Sequence, residues 1–268
     1  MTKFKQTYPT DLKYSEWRRI REFFPIYQRG RPCKWPRWQI INAILYVTRT
    51  GCQWRMLPKA YPPWQTVYGY FHRWTASGLW YRLNATLVAQ VRVRNRRPAQ
   101  PSAAIIDSQS VKTSEGGEAR GIDVHKQTPG RKRHIVVDVL GLLLLVIVHS
   151  ASMQDGNGGK LVLQKLFEQI KHSVHNRWCR LKLIWADAAY EEIVPFVRKQ
   201  FGWTLDIVRR PPGQKGWSVQ PHRWLIERTF GWLGRYRRLA RDYEHTVASS
   251  EAMTYLASSR RMLKLLSK

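Results

Sequence analysis

The stretch IIDSQSVK, residues 105–112, turns from apolar to polar at Asp107, and that change decides the fold. Ala103 to Ile106 reads as a short buried strand ending on Asp107. The same arrangement recurs in LKLIWADAAY, where Leu181 to Ala186 reads as a strand ending on Asp187. Between them, Arg133 to Leu140 and Leu142 to Ser150 are β-rich runs separated by Gly141, the pattern of a hairpin. Lys160 to His172 has helical spacing, a helix is expected through Glu191 to Gln200, and Trp203 to Val208 reads as a fifth strand. Pro221 is placed to open a long final helix reaching about Tyr243. Strands and helices in this order predict an α/β fold.

Upstream the texture differs. Helices are expected from Thr10 or Asp11 (carrying Leu12, Trp17, Ile20 and Phe24), from Trp38 to Thr50 with Gly51 as its stop, from Pro63 to Ala76, and from Leu79 to Val93. Short Arg-rich helices joined by tight turns fit a helix-turn-helix module, and a plain helical bundle gives the same pattern. Seven of the 13 Trp lie here and most are expected in the core. Arg92 to Ser102 is basic, Pro-containing and without apolar periodicity. The chain thus divides into a helical segment 1–95, a linker 96–102 and an α/β segment 103–268.

The charge balance selects the partner. Lys and Arg number 46 against 18 Asp and Glu, a net +28. Self-repulsion of that size calls for a polyanion, and DNA or RNA is the usual one. No apolar run is long enough to span a bilayer. The N-terminus lacks a signal-peptide core, and three scattered cysteines (Cys33, Cys52, Cys179) suit neither disulfides nor zinc, so a cytosolic location is expected.

Each acidic residue has an ordinary reading. Asp107 and Asp187 could form a turn or cap a helix, and Glu227 could pair with an arginine on a helix surface. Together they can converge at the carboxyl edge of a sheet. Convergent carboxylates without His or Cys select Mg²⁺ or Mn²⁺, and two such ions suit phosphodiester chemistry. At about 100° per residue, Arg223, Glu227, Gly231, Gly234, Arg238 and Arg241 share one helix face. The glycines beside arginines suit either a close phosphate backbone or tight packing on another helix.

These residues resemble a family. YPTDLKYSEW, NAILYVTRTGCQWRMLPKAYPPWQTVYGYFHRW, the run from IIDSQSVK to SASMQD, ADAAY and RWLIERTFGWLGRYRRLARDYE are similar to segments of bacterial insertion-sequence transposases of the DDE type, in the insertion sequence five branch. The resemblance implies an RNase H-like catalytic domain with a mixed five-stranded sheet, preceded by a helical DNA-binding domain. It implies Asp107, Asp187 and Glu227 as catalytic metal ligands, and two Mg²⁺ ions that Mn²⁺ can replace. It also implies double-stranded DNA partners (inverted-repeat ends and target), a homodimer on DNA, and a bacterial, nucleoid-associated location. Around the glutamate the family spacing Tyr-x₂-Arg-x₃-Glu-x₆-Lys meets Gln220, Arg223, Glu227 and Gly234, with Arg235 beside the last. The usual Asp-x-Gly-Tyr reads Asp187-Ala188-Ala189-Tyr190.

DNA contacts are expected from Lys112, from a loop over Gly121 to His134 carrying His125, Lys126, Arg131, Lys132, Arg133 and His134, and from Arg223, Arg235, Arg238 and Arg241. Asp123, Asp138 and Asp155 are spare carboxylates, and Trp217 and Trp232 are candidates for stacking on an unpaired base. Rival readings are a DNA-binding regulator without chemistry, a stand-alone nuclease, and an inactive remnant of an element.

Overall fold

The computed structural model describes residues 4–25, 34–114, 116–172, 178–209 and 222–267. Four helices open the chain: α1 (Tyr14–Ile20), α2 (Arg37–Thr50), α3 (Trp64–Ala76) and α4 (Leu79–Arg94). Alpha2 is apolar on nearly every side and correspondingly buried, and Gly51 ends it in the left-handed conformation at φ +74°. The first helix starts later than expected. Leu12 and Asp11 precede it, because the Asp11 carboxylate is committed to the Thr7 and Tyr8 amides and the Tyr61 hydroxyl.

The sheet follows, with strands β1 (Ala103–Lys112), β2 (Gly121–Asp123), β3 (Thr128–Asp138), β4 (Leu143–Ser150), β5 (Leu183–Ala186) and β6 (Thr204–Ile207). Beta1 pairs antiparallel with β3 and parallel with β5, β5 pairs parallel with β6, and both β2 and β4 pair with β3. Among the described residues the sheet has one strand more than expected, the short β2 inside the expected loop. Helices α5 (Asp155–Lys171) and α6 (Val194–Phe201) fill the connections. The arrangement is the RNase H-like mixed α/β fold.

The expected long C-terminal helix is broken. Alpha7 (Arg223–Gly234) stops before Arg235 and Tyr236, and α8 (Arg237–Ala240) restarts in a new direction. Pro221 and Trp217 lie outside the described residues. A further helix, α9 (Val247–Leu266), was not foreseen; its buried face includes Ser250, Thr254, Ser258 and Ser259, which mask its apolar stripe.

Alpha9 joins the two expected halves. It packs on α4, α2 and α3 on one side and on β4 on the other. Its Tyr255 hydroxyl and Glu251 carboxylate accept hydrogen bonds from the Val146 and Val148 amides at 3.2 and 3.0 Å, covering the free edge of β4. Arg260 donates to Glu16 at 2.7 Å, and Arg19 donates to the Leu266 carbonyl at 3.2 Å. One hydrophobic core therefore runs through both segments and includes Trp74 and Trp80, while Trp38 is buried against Phe4. Arg92, where the expected fourth helix and the basic run before the linker overlap, is buried on α4 in an ion pair with Asp138. No described helix is long and apolar enough to cross a membrane.

Candidate active site

Asp107 lies in the middle of β1 rather than at its end, yet it stands at an edge. Pairing with β3 continues past it to Lys112, while pairing with β5 stops at Ile105 opposite Trp185. Two residues further along that register come Asp107, still on β1, and Asp187, the first residue past the end of β5. Sequence reasoning saw the strand-end character because one neighbour does end there.

Asp187 begins a 3₁₀ turn over residues 188–193, and its carboxylate accepts from the Ala189 amide at 3.0 Å. No residue of that turn has a positive φ, so Ala189 occupies the family's glycine position without strain. Asp107, Asp187 and Arg223 line one hollow of about 10 Å³, with Trp185 beside them. Burial pushes the Asp107 carboxyl up to about 7 and the Asp187 charge adds to this, against the Ser108 amide at 2.7 Å and the charges of Arg223 and Lys126.

Alpha7 carries the other two groups. Its inner face, Leu225, Ile226, Thr229, Phe230 and Leu233, is buried. The Thr229 hydroxyl donates to the carbonyl of Gly141, which takes the turn between β3 and β4 at φ +74°. At its start the His222 ring stacks on Trp185 at 4.0 Å. Arg223 is thereby set between two carboxylates, 3.5 Å from Asp187 and 3.5 Å from Glu227. Both are ion-pair distances rather than hydrogen bonds. Glu227 itself is exposed, and among the described residues no three carboxylates stand close enough to share a metal ion. The structure brings together Asp107 and Asp187 and holds Glu227 one arginine away.

The donor set fits a hard divalent cation in part. Asp107 and Asp187 offer oxygen ligands that share Arg223 as their nearest cation, beside a hollow with room for about one water-sized occupant. Glu227 does not complete the set as it stands.

The expected basic contacts divide. Lys112, Lys126, Arg235 and Arg241 are exposed. Arg131, Lys132 and Arg133 are not on a loop: they belong to β3 and are buried. Arg131 donates to the carbonyls of Glu118, Glu244 and His245 and pairs with Asp242. Arg133 donates to the carbonyls of Leu239 and Arg241. Their heads are committed to protein oxygens, so the reading of a DNA-facing run there is corrected. Arg238 is also buried, bound to Glu244 at 2.6 Å, because the break after α7 turns it away from the Glu227 face. On that face a Cβ added at Gly231 or Gly234 would meet nothing within 4 Å among the described residues, which argues against the tight-packing explanation. The Trp232 ring is covered by the guanidiniums of Arg261 and Arg228, at 3.2 and 4.5 Å from its centre.

Beneath Asp107 lies a polar layer that sequence reasoning missed. Ser108 donates to Asp155 at 2.8 Å, and Lys132 reaches Asp155 at 3.0 Å, Asp123 at 3.5 Å and the Met153 carbonyl at 2.9 Å. Next to it the His149 Nδ1–H donates to the Ser150 carbonyl, which leaves its Nε2 to accept from His134 Nδ1–H at 2.8 Å. His134 Nε2 must then accept from the Tyr190 hydroxyl at 2.8 Å. The first turn of α5 packs on this chain, and a Cβ at Gly158 would lie 2.5 Å from His134 Cε1. GNGG at residues 156–159 was the available signal.

Residues 12–84 match the family model for transposases of the IS4/5 family, and residues 98–260 match the model of the transposase DDE domain. No curated protein and no solved structure matches the chain. The two matches follow one another along most of the sequence, and the second takes in Asp107, Asp187 and Glu227; the chain belongs to the IS4/IS5-like DDE transposases.

Proposed function

We propose that this transposase cleaves and rejoins DNA at the inverted-repeat ends of an insertion sequence, by divalent-metal-dependent phosphoryl transfer at Asp107, Asp187 and Glu227. One observation carries the reading: Asp107 and Asp187 line a single small hollow, and burial together with the Asp187 charge lifts the Asp107 carboxyl to about 7. A carboxylate pair left short of positive charge is what a cation-dependent site requires. Mg²⁺, or Mn²⁺ in its place, supplies the Lewis acidity that activates the attacking oxygen and stabilises the leaving one.

The protein's own groups do the rest. Asp107 and Asp187 would hold the cation, and Glu227, now 3.5 Å from Arg223, is the carboxylate that would complete its oxygen ligands once freed of that arginine. Arg223 holds Asp187 and Glu227 together before that. Lys112, Lys126, Arg235 and Arg241 hold DNA phosphates, and the N-terminal helices contact the ends. The active form is a homodimer on DNA, because two ends must be joined.

A non-catalytic DNA-binding role, or an inactive copy, is favoured by one fact, the separation of Glu227 from the two aspartates. One assay decides. Duplex DNA bearing the element ends is incubated with Mg²⁺; nicking by the wild type is expected, and loss of nicking with retained binding for Asp107→Asn. Binding without nicking, or nicking that survives the substitution, would overturn the catalytic reading.

A further inference from the structure

A cavity of about 380 Å³ lies where α2, the end of α7 and the last turns of α9 meet. Arg49, Arg235, Arg260, Arg261 and Lys264 line it, and no carboxylate among the described residues does. Arg260 is committed elsewhere, to Glu16 at 2.7 Å and the Asp11 carbonyl at 3.1 Å. The other four make no ion pair with any described residue.

These four are arranged rather than merely near one another. Arg49 donates to the Arg235 carbonyl at 2.6 Å and lies over the Tyr236 ring at 5.1 Å. Arg261 lies over Trp232 at 3.2 Å. Neutral contacts of this kind orient a guanidinium and leave its charge unanswered. The crowding is felt: burial pulls Arg261 down to about 10 with Arg228 adding, and burial, then Arg260 and Arg49, lower Lys264. Like charges gathered in a fold are costly until an anion joins them.

We propose that this cavity binds a phosphate of the DNA backbone, at a site separate from the carboxylates; the assignment rests on the DNA-processing reading above. Arg49, Arg235 and Lys264 are exposed, so the phosphate can belong to a polymer crossing the surface. Arg235 comes eight residues after Glu227. That is about 12 Å along α7 at about 1.5 Å per residue, or a few nucleotides of duplex at about 3.4 Å each. A strand cut beside Glu227 would be gripped here at a fixed distance from the break.

The test is duplex affinity as a function of salt for Arg49→Gln, Lys264→Gln and the double variant, with Lys199→Gln on α6 as an exposed control and melting temperature as the check on folding. Each single change should weaken binding about tenfold near 0.1 M salt and reduce the slope of log affinity against log salt by about one. The control should change neither. Unchanged slopes in a wild type that still binds and nicks DNA would overturn the cavity assignment and leave the function standing. Equal losses at Lys199 would reduce the effect to net charge and overturn it too. Stabilisation by inorganic phosphate that disappears in the variants, with the DNA slope unmoved, would make this a free-phosphate site and overturn the DNA assignment. A wild type that binds no DNA would sink the functional reading itself.

Discussion

Two carboxylate clusters meet at β1, one reached through the Ser108 and Ser110 hydroxyls and one at Asp107 itself, and their surroundings drive them in opposite directions. Around Lys132, burial alone would raise Asp155 and Asp123. The Ser108 and Lys132 contacts to Asp155, and the Ser110 hydroxyl, the Lys126 amide and Lys132 at Asp123, outweigh it and hold both below their ordinary range. At Asp107 burial prevails, Asp187 reinforces it, and the carboxyl rises to about 7. The first cluster has its cation built in. The second has only Arg223, shared with Glu227 at 3.5 Å on each side. An internal cation closes a site structurally; a missing one leaves it to be completed from solution. The comparison separates carboxylates that already have a cation from those short of one, without appeal to their position on the chain.

It can be broken most directly by activity. Nicking by Asp107→Asn should fall on the order of a thousandfold, about 4 kcal/mol of barrier, whereas Asp155→Asn should stay within about tenfold of the wild type. If Asp155→Asn were equally dead while melting normally, the two clusters would be one site.

Stability should separate them next, with opposite signs. Asp155→Ala leaves the buried Lys132 short of its nearest carboxylate and should cost about 2 kcal/mol in urea unfolding, while metal-free Asp107→Asn should unfold no more easily than the wild type. A destabilised Asp107→Asn would mean that the carboxylate is compensated after all.

The smallest effect concerns pH. In metal-free buffer the folded Asp107 keeps its proton up to about 7, against 3.8 for the free side chain. Between those values the folded state binds more protons than the unfolded one, so its contribution to stability declines as pH rises through that window. Asp155 and Asp123 are lowered, so their contribution is present above the ordinary carboxylate range and is lost as pH falls below it. Melting temperature in chelator should therefore decline from about pH 4 to pH 7 in the wild type and stay flatter in Asp107→Asn. An identical decline in the two would remove Asp107 as its source.

How much of this could be read in advance depended on how local the cause was. Alpha2, α3, α4 and the β3–β4 hairpin were legible because apolar spacing, Gly51 and Gly141 act within a few residues. Asp107 and Asp187 were legible for the same reason, as each follows an apolar run. Arg131 and Arg133 were not. A strand containing RKRH looks solvent-facing until carbonyls from residues 118, 239, 241, 244 and 245 arrive, and those partners are 13 to more than 100 positions away. The turn after α7 was missed although Gly234 sits at the break, because Gly234 and Gly231 together read as a smooth face beside the arginines of one continuous helix. Glu227 was placed on the correct helix, but its separation from Asp187 by Arg223 is a matter of side-chain geometry that no spacing encodes.

Alpha9 also has a consequence for biogenesis. Helices α1 and α2 cannot finish their core until α9, synthesised about 200 residues later, is present: Thr48 on α2 meets Met253, and Glu16 waits for Arg260. A ribosome must therefore release nearly the whole described chain before the N-terminal helices can settle, and contacts of such long range make for slow folding. The helical segment and the carboxylate-bearing sheet would mature in the same step, so a prematurely terminated chain should yield neither half in a stable form.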